Sequence, residues 1–246
     1  MESKKTILIT GANGFVAKNL ISILGDKYNI LKFDIDNNED DLREFCKKSS
    51  FVFHFASIQR PKENQNYDMN LGITTKLLNI LVEEILFLPV FFSSSIQAEA
   101  YNDYGRVKVM EENAIINYGK NNNVKTYVFR FNNLFGKYSK PNYTSVVTTF
   151  CYNTINGLPL QLNNPGATLY FSFVEDAINE VLDSIDNEIN YNKVNYLKLK
   201  YQVSLGELAY YVGSIKNNTE NLIKNNDEFF QKLKKVYSWY EENKIC

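Results

Sequence analysis

A phenol and an ammonium four residues apart on a helix share one face, and Tyr104 and Lys108 have that spacing in Tyr-Gly-Arg-Val-Lys. A lysine ammonium beside a phenol favours the phenolate, which makes the phenol a usable acid–base near neutral pH. The spacing alone selects nothing in a chain with 17 tyrosines, because Tyr28/Lys32, Tyr196/Lys200 and Tyr240/Lys244 repeat it. Position selects Tyr104. It lies nine residues after Ser95, the last of the run Ser93-Ser94-Ser95 that follows the strand-like segment Pro89–Phe92. Ligands of doubly wound sheets bind outside the carboxyl ends of the strands. Ser95, Tyr104 and Lys108 are therefore the expected catalytic group, with Ser95 and Tyr104 flanking one reacting oxygen.

A second constellation opens the chain. The segment Thr6–Thr10 runs into Gly11-Ala12-Asn13-Gly14-Phe15-Val16-Ala17 and then into a helical pattern. Gly11 permits a tight turn, and Gly14 lets the backbone approach a pyrophosphate at a helix N-terminus. Ala17 is small enough for the helix to pack on the strand. Gly11, Asn13, Gly14, Phe15 and Val16 are thus expected to contact a dinucleotide. Asp34 ends the second strand, 23 residues after Gly11. A carboxylate there accepts hydrogen bonds from ribose hydroxyls and repels a 2′-phosphate, which favours NADH. Lys18, Lys32 or Arg60 could answer such a phosphate, so NADPH stays open.

The elements that must position these residues alternate short apolar runs with longer amphipathic ones, the pattern of βαβ units and a parallel sheet. Strands are expected at Thr6–Thr10, Ile30–Phe33, Phe51–Phe55, Pro89–Phe92 and Thr126–Phe131, with weaker ones near Leu169–Phe173 and Val194–Leu199. Helices are expected at Phe15–Leu24, Glu39–Lys47, Asn70–Leu86, Tyr104–Tyr118, Ser145–Ile155, Glu175–Ser184, Leu205–Val212 and Asp227–Tyr240. The Asn-rich stretch Lys216–Asn226 reads as a surface loop.

Composition excludes several classes. At 246 residues and 44% hydrophobic content the chain can bury a large core as one α/β domain. A net charge of −1 gives no basic field for nucleic acid. The longest apolar stretch, Ile80–Phe92, is interrupted by Glu83 and Glu84 and is too short to span a bilayer, and no signal-peptide core precedes Thr6. A cytoplasmic location is expected. Cys46, Cys151 and Cys246 are too widely spaced for a metal or disulfide pattern, and the single histidine, His54, reads as a core residue at a strand end. No metal is expected.

In order, Gly11–Ala17, Phe53-His54-Phe55-Ala56-Ser57, Asn70, the serine run, Tyr104/Lys108 and Arg130-Phe131-Asn132-Asn133-Leu134-Phe135-Gly136 resemble the extended short-chain dehydrogenases. Ile58-Gln59-Arg60-Pro61, Ser93–Ala98, Asn133–Lys137, Pro141–Val147 and Thr149-Phe150-Cys151 are similar to a narrower group within them. That group is the reductase domain of capsular-polysaccharide enzymes acting on a UDP-2-acetamido-2,6-dideoxy-4-ketohexose. The resemblance runs from about residue 6 to 240. It implies a Rossmann-type doubly wound parallel sheet with a small C-terminal substrate-binding subdomain. Residues 1–246 would form one domain, with 1–135 mainly dinucleotide-binding and 136–246 mainly substrate-binding. It also implies cofactor contacts from Phe55, Ala56, Ser57, Asn70, Ser93, Tyr104, Lys108 and Arg130. Substrate contacts would come from Arg60, Ser95, Asn133, Lys137, Lys140, Asn142 and Ser145. Asn70 reads either as active-site support or as a helix cap, and Asp176 as a cap of the helix after it.

The implied activity is reduction of a UDP-linked 4-keto-6-deoxy amino sugar by NADPH or NADH, between separate upstream and downstream pathway enzymes. The resemblance leans to NADPH where Asp34 leans to NADH, and it leaves a homodimer open. Dehydratases of the superfamily place an Asp-Glu pair where this chain has Ile96-Gln97, which argues against elimination. A 4-epimerase with tightly held NAD stays open by motif. A dinucleotide-sensing module without turnover is disfavoured by the Tyr/Lys pair. The resembled enzymes also carry a cupin domain that epimerises C3, and this chain stops where it would begin. The polypeptide alone is expected to reduce C4 without exchanging the C3 hydrogen. A reaction in D₂O with unlabelled reduced cofactor checks this by product NMR, and deuterium at C3 would show that the reductase site itself enolises the sugar.

Overall fold

The computed structural model describes residues 4–143, 145–219, 223 and 227–243. Its strands are β1 (Thr6–Thr10), β2 (Asn29–Phe33), β3 (Phe51–His54), β4 (Val90–Ser95), β5 (Thr126–Phe131), β6 (Asn133–Phe135), β7 (Thr168–Phe173), β8 (Lys193–Tyr196) and β9 (Tyr201–Ser204). Its helices are α1 (Phe15–Leu24), α2 (Glu39–Lys48), α3 (Asp68–Glu83), α4 (Asp103–Asn121), α5 (Val146–Ile155), α6 (Val174–Asp186), α7 (Leu205–Lys216) and α8 (Glu228–Asn243). Six strands form one sheet in the order β2-β1-β3-β4-β5-β8, every pair parallel. This is the Rossmann-type architecture. A second sheet runs β6-β7-β9, with β6 parallel and β9 antiparallel to β7.

The chain divides into two compact units. One runs to Phe131 and includes Ile178–Leu197; the other comprises Asn132–Ala177 and the residues from Lys198 onward. In the first unit the central strands are buried on both faces, which is why they read as unbroken apolar runs. Leu8, Val52, Val90 and Val128 pack with Leu77 and Leu81 of α3 and Ile115 of α4. The second unit has an aromatic core in which Phe135, Phe150, Phe171, Phe173, Phe229, Phe230 and Tyr237 meet. Among the described residues no helix is long and apolar enough to cross a membrane.

Helix starts follow local polar chemistry. Asn38 and Asp41 form a capping box on α2, and Ser204 and Glu207 form one on α7. Asn102 caps α4, its side chain accepting from the Gly105 N–H at 2.7 Å. Several expectations need correction. The serine run lies inside β4 rather than beyond it. Strands β6 and β9 were not expected. Asn70 sits within α3, whose N-cap is Tyr67. Asp176 lies in the first turn of α6 and pairs with Lys232 of α8. Most of Lys216–Asn226 lies outside the described residues; Lys216 itself ends α7.

Gly105, in the first turn of α4, is required by packing. A Cβ there would stand 2.2 Å from the Gln97 carbonyl oxygen and 2.7 Å from that of Ala100. Gly72, within α3, faces open space. Gly105→Ala should therefore lower unfolding stability by about 1–3 kcal/mol, whereas Gly72→Ala should raise it by about 0.5–1 kcal/mol. Urea unfolding of the two variants measures both signs.

Candidate active site

The turn after β1 is built by a close backbone approach. Gly11 has φ +67°, and a Cβ on it would lie 2.7–2.8 Å from the backbone of Phe55 and Ala56. Only glycine serves there. The Phe55 N–H donates to the Thr10 carbonyl at 3.1 Å, so the loop after β3 lies against the turn. Gly14 is the N-cap of α1, with no side-chain cap and no acidic residue in the first turn. The helix N-terminus, which begins at Phe15 and Val16, keeps its amides for an anion. The Ser57 hydroxyl is buried and has no hydrogen-bond partner. A glycine cradle, an uncapped helix start and an orphaned hydroxyl fit a dinucleotide.

Asp34 also shapes this turn. Its Oδ2 accepts from the Asn13 N–H at 2.7 Å and its Oδ1 from the Ile35 N–H at 2.8 Å. Asn70 clamps the loop after β3 from α3: its Oδ1 accepts from the Ile58 N–H at 2.6 Å and its Nδ2 donates to the Ile58 carbonyl at 3.1 Å.

Tyr104 is buried in the first turn of α4, and Lys108 is 1% exposed one turn on. The Lys108 Nζ lies 5.7 Å from the Tyr104 ring centroid and 4.7 Å from that of Phe92. Ser95 ends β4, and its hydroxyl accepts from the Gln97 N–H at 3.1 Å, starting the short 3₁₀ turn Ile96–Glu99. That turn and its C-cap Ala100 supply the carbonyls against which Gly105 packs, which links Ser95 to Tyr104. The Tyr104 hydroxyl donates to Gln59 Oε1 at 3.2 Å, and its ring meets Tyr67 edge-on with centroids 5.2 Å apart. Sequence reading did not single out Gln59 or Tyr67. Neither carries a spacing signal, because both belong to the irregular segment between β3 and α3.

Arg130, expected with the cofactor contacts, is held by acidic and phenolic partners. Its guanidinium grips Glu112 with two bonds of 2.8 and 2.7 Å and donates to Glu99 and the Tyr196 hydroxyl at 3.1 and 2.8 Å. The Glu112 pairing raises the Arg130 pKa above its ordinary range. Ser94 donates to Glu112 as well, while Ser93 is half-buried beside it on β4. His54 is fully buried, and burial followed by the nearby Lys108 charge pushes it down to about 3, so the imidazole is neutral. Burial pushes the Cys46 and Cys151 thiols up to about 12, which leaves neither as a nucleophile.

The remaining expected substrate residues divide as follows. Arg60 is an exposed loop residue of the first unit. In the second unit, Asn133 donates to the Tyr170 carbonyl at 3.0 Å, Lys137 pairs with Glu175 at 3.9 Å, and Lys140 is exposed. Asn142 adopts φ +55° and its N–H donates to Thr149 Oγ1 at 2.9 Å. Ser145 caps α5. The Tyr240 hydroxyl donates to the Ser139 carbonyl at 2.6 Å, which ties α8 to this segment, and the Ser139 hydroxyl is buried without a partner.

The sequence pattern of the NAD dependent epimerase/dehydratase family matches residues 7–195. The chain belongs to that family. It is 32% identical over 219 residues to the UDP-2-acetamido-2,6-beta-L-arabino-hexul-4-ose reductase of Pseudomonas aeruginosa, a match covering 88% of this chain and 59% of that protein. The crystal structure of the capsular polysaccharide assembling protein CapF from Staphylococcus aureus matches with a TM-score of 0.83 at 29% identity, covering 97% of this chain and 66% of that one. The Bordetella bronchiseptica enzyme WbmF, solved with NAD⁺, shares the fold at a TM-score of 0.79 and 19% identity, covering 98% and 94% of the two chains. This family member thus spans under two thirds of the length of the first two relatives.

Within this family member three of the four tyrosines at this spacing, Tyr104, Tyr196 and Tyr240, differ in environment. Tyr196 is exposed and bonded to Glu99, while Tyr240 is a core residue. Tyr104→Phe should cut turnover at least ~100-fold while dinucleotide affinity stays near wild type. Tyr196→Phe and Tyr240→Phe should retain turnover. Steady-state kinetics with a cofactor-binding titration decide this, and near-wild-type turnover in Tyr104→Phe would refute the assignment.

Proposed function

We propose that the protein is a reductase of a UDP-linked 2-acetamido-2,6-dideoxy-4-hexulose, using NADH or NADPH. The observation that carries the reaction type is Lys108, buried behind the ring of Tyr104 at the carboxyl end of β4. The substrate class follows from the similarity to the P. aeruginosa reductase, whose own substrate its name states.

Gly11, Asn13, Gly14, Phe15 and Val16 would hold the pyrophosphate, Asp34 the ribose, and Phe55, Ala56, Ser57 and Asn70 the loop beside it. Bound there, a reduced nicotinamide dinucleotide supplies the hydride for the carbonyl carbon. Tyr104 gives its hydroxyl proton to the carbonyl oxygen as charge develops on it, and Ser95 donates a second hydrogen bond to that oxygen. The Lys108 ammonium stabilises the phenolate left behind until solvent returns a proton. The hydrogen that Tyr104 now shares with Gln59 is the one a substrate carbonyl would receive. Arg60, Asn133, Lys137, Lys140, Asn142 and Ser145 remain the proposed substrate residues, the two lysines suiting a diphosphate by charge.

Incubation with a 4-keto-6-deoxy UDP-HexNAc and each reduced cofactor tests the proposal. Nicotinamide absorbance should fall stoichiometrically, and product NMR should show a 4-hydroxyl. An epimerase that keeps its cofactor would turn over with no net loss of absorbance. Asp34 should give NADH the higher specificity constant, and Asp34→Ala should narrow the gap. Because Asp34 also holds the Asn13 amide, that variant should weaken both cofactors. A strong wild-type preference for NADPH would overturn the cofactor reading.

A further inference from the structure

Behind Tyr104 and Lys108 runs a chain of buried polar side chains that the proposed reaction does not use. His54, Thr74 and Glu111 are 0% exposed, and Thr10 is 2% exposed. The contacts are Thr10 Oγ1 to His54 Nδ1 at 2.7 Å, His54 Nε2 to Thr74 Oγ1 at 2.9 Å, and Thr74 Oγ1 to Glu111 Oε1 at 2.7 Å. The other Glu111 oxygen lies 3.0 Å from the Lys108 Nζ. At the far end, the Ala56 N–H donates to Thr10 Oγ1 at 3.4 Å. The chain thus joins the loop packed on the glycine turn to the lysine of the reacting pair.

Its protons have one consistent arrangement. A carboxylate only accepts, so Thr74 must give its single hydroxyl hydrogen to Glu111. Thr74 Oγ1 must then accept from His54, which places the imidazole hydrogen on Nε2. The neutral ring leaves Nδ1 as an acceptor, and Thr10 supplies that hydrogen. Each hydroxyl donates once and accepts once, and every donor points toward Glu111. Lys108 and Glu111 stand at ion-pair distance, 3.0 Å apart, and both are buried. A buried ammonium without a counter-charge is strongly disfavoured. Among the described residues, neutral His54 of β3 and Phe92 of β4 face Lys108 from other packed elements. Glu112, one residue further on α4, is already held by Arg130 and Ser94.

We propose that Glu111 is the positioning residue for Lys108, and that the one-way chain through Thr10, His54 and Thr74 fixes its carboxylate and couples the loop after β3 to the reacting pair. The role of Lys108 rests on the reaction proposed above; the direction of the chain does not.

His54 is the single histidine, so ¹⁵N-histidine protein gives one imidazole spectrum. Wild type should show the Nε2–H tautomer, still unprotonated when the pH is lowered from about 8 to about 5. Glu111→Gln can offer Thr74 a donor, so it should shift the tautomer toward Nδ1–H. Thr74→Val severs the chain and should also change the spectrum. In kinetics, Glu111→Gln should lower kcat about ten- to a hundredfold with the KM for NADH nearly unchanged, and Glu111→Asp should recover part of the loss. An Nδ1–H tautomer or a near-neutral titration in wild type overturns the chain. A kcat and a His54 spectrum unchanged in Glu111→Gln overturn the positioning role. Should Glu111→Gln not fold, Thr74→Val carries the same two measurements. Should wild type reduce no ketose, the proposed reaction fails by itself while the His54 spectra still decide whether Glu111 terminates the chain.

Discussion

Glu111 and Glu112 are adjacent on α4 and both are buried, so two carboxylates must find cations and donors inside the first unit. Their solutions diverge. Glu111 takes Lys108 and the Thr74 hydroxyl, which binds α4 to α3 and through His54 to β3 and β1. Glu112 takes Arg130 and Ser94, which binds α4 to β5 and β4. Buried charges persist only when paired and hydrogen-bonded. The placement of α4 against α3, β4 and β5 is therefore dictated by charge satisfaction as well as by the burial of Ile115 and Val107. Tyr104 inherits its position from that placement.

The elements legible in the sequence were those whose signal is local. The glycine turn, the parallel strands and the long amphipathic helices all declare themselves within a short window, and β1, β5 and α1 match their expected bounds. Strands β6 and β9 span three and four residues, too few for any periodicity to register. Arg130 shows the limit for single side chains. Its partner Glu112 is 18 residues away on a helix, and a basic residue at a strand end carries no mark of which acid it will meet. Glu111 was not singled out from the sequence, because its burial depends on how α3 packs against α4. Asp176 likewise reads as a cap until α8 brings Lys232 to it.

The two units use different means of cohesion. The first combines aliphatic and aromatic strand residues, with Phe53, Phe91 and Phe129 in ring contact, and a buried polar lattice; the second packs phenylalanine and tyrosine around a three-stranded sheet. Family membership rests mainly on the first, since the matched pattern ends at residue 195. The residues proposed for the sugar nucleotide lie mostly in the second.

The Tyr240 hydroxyl reaches the carbonyl of Gly136 from 104 residues further along the chain, and Phe229 and Phe230 of the same helix fill the aromatic core. During synthesis, Phe135, Phe150 and Phe171 leave the ribosome long before the helix that covers them. Their apolar surface waits in water until α8 emerges. The aromatic core of the second unit therefore cannot be fully buried until α8 has been synthesised.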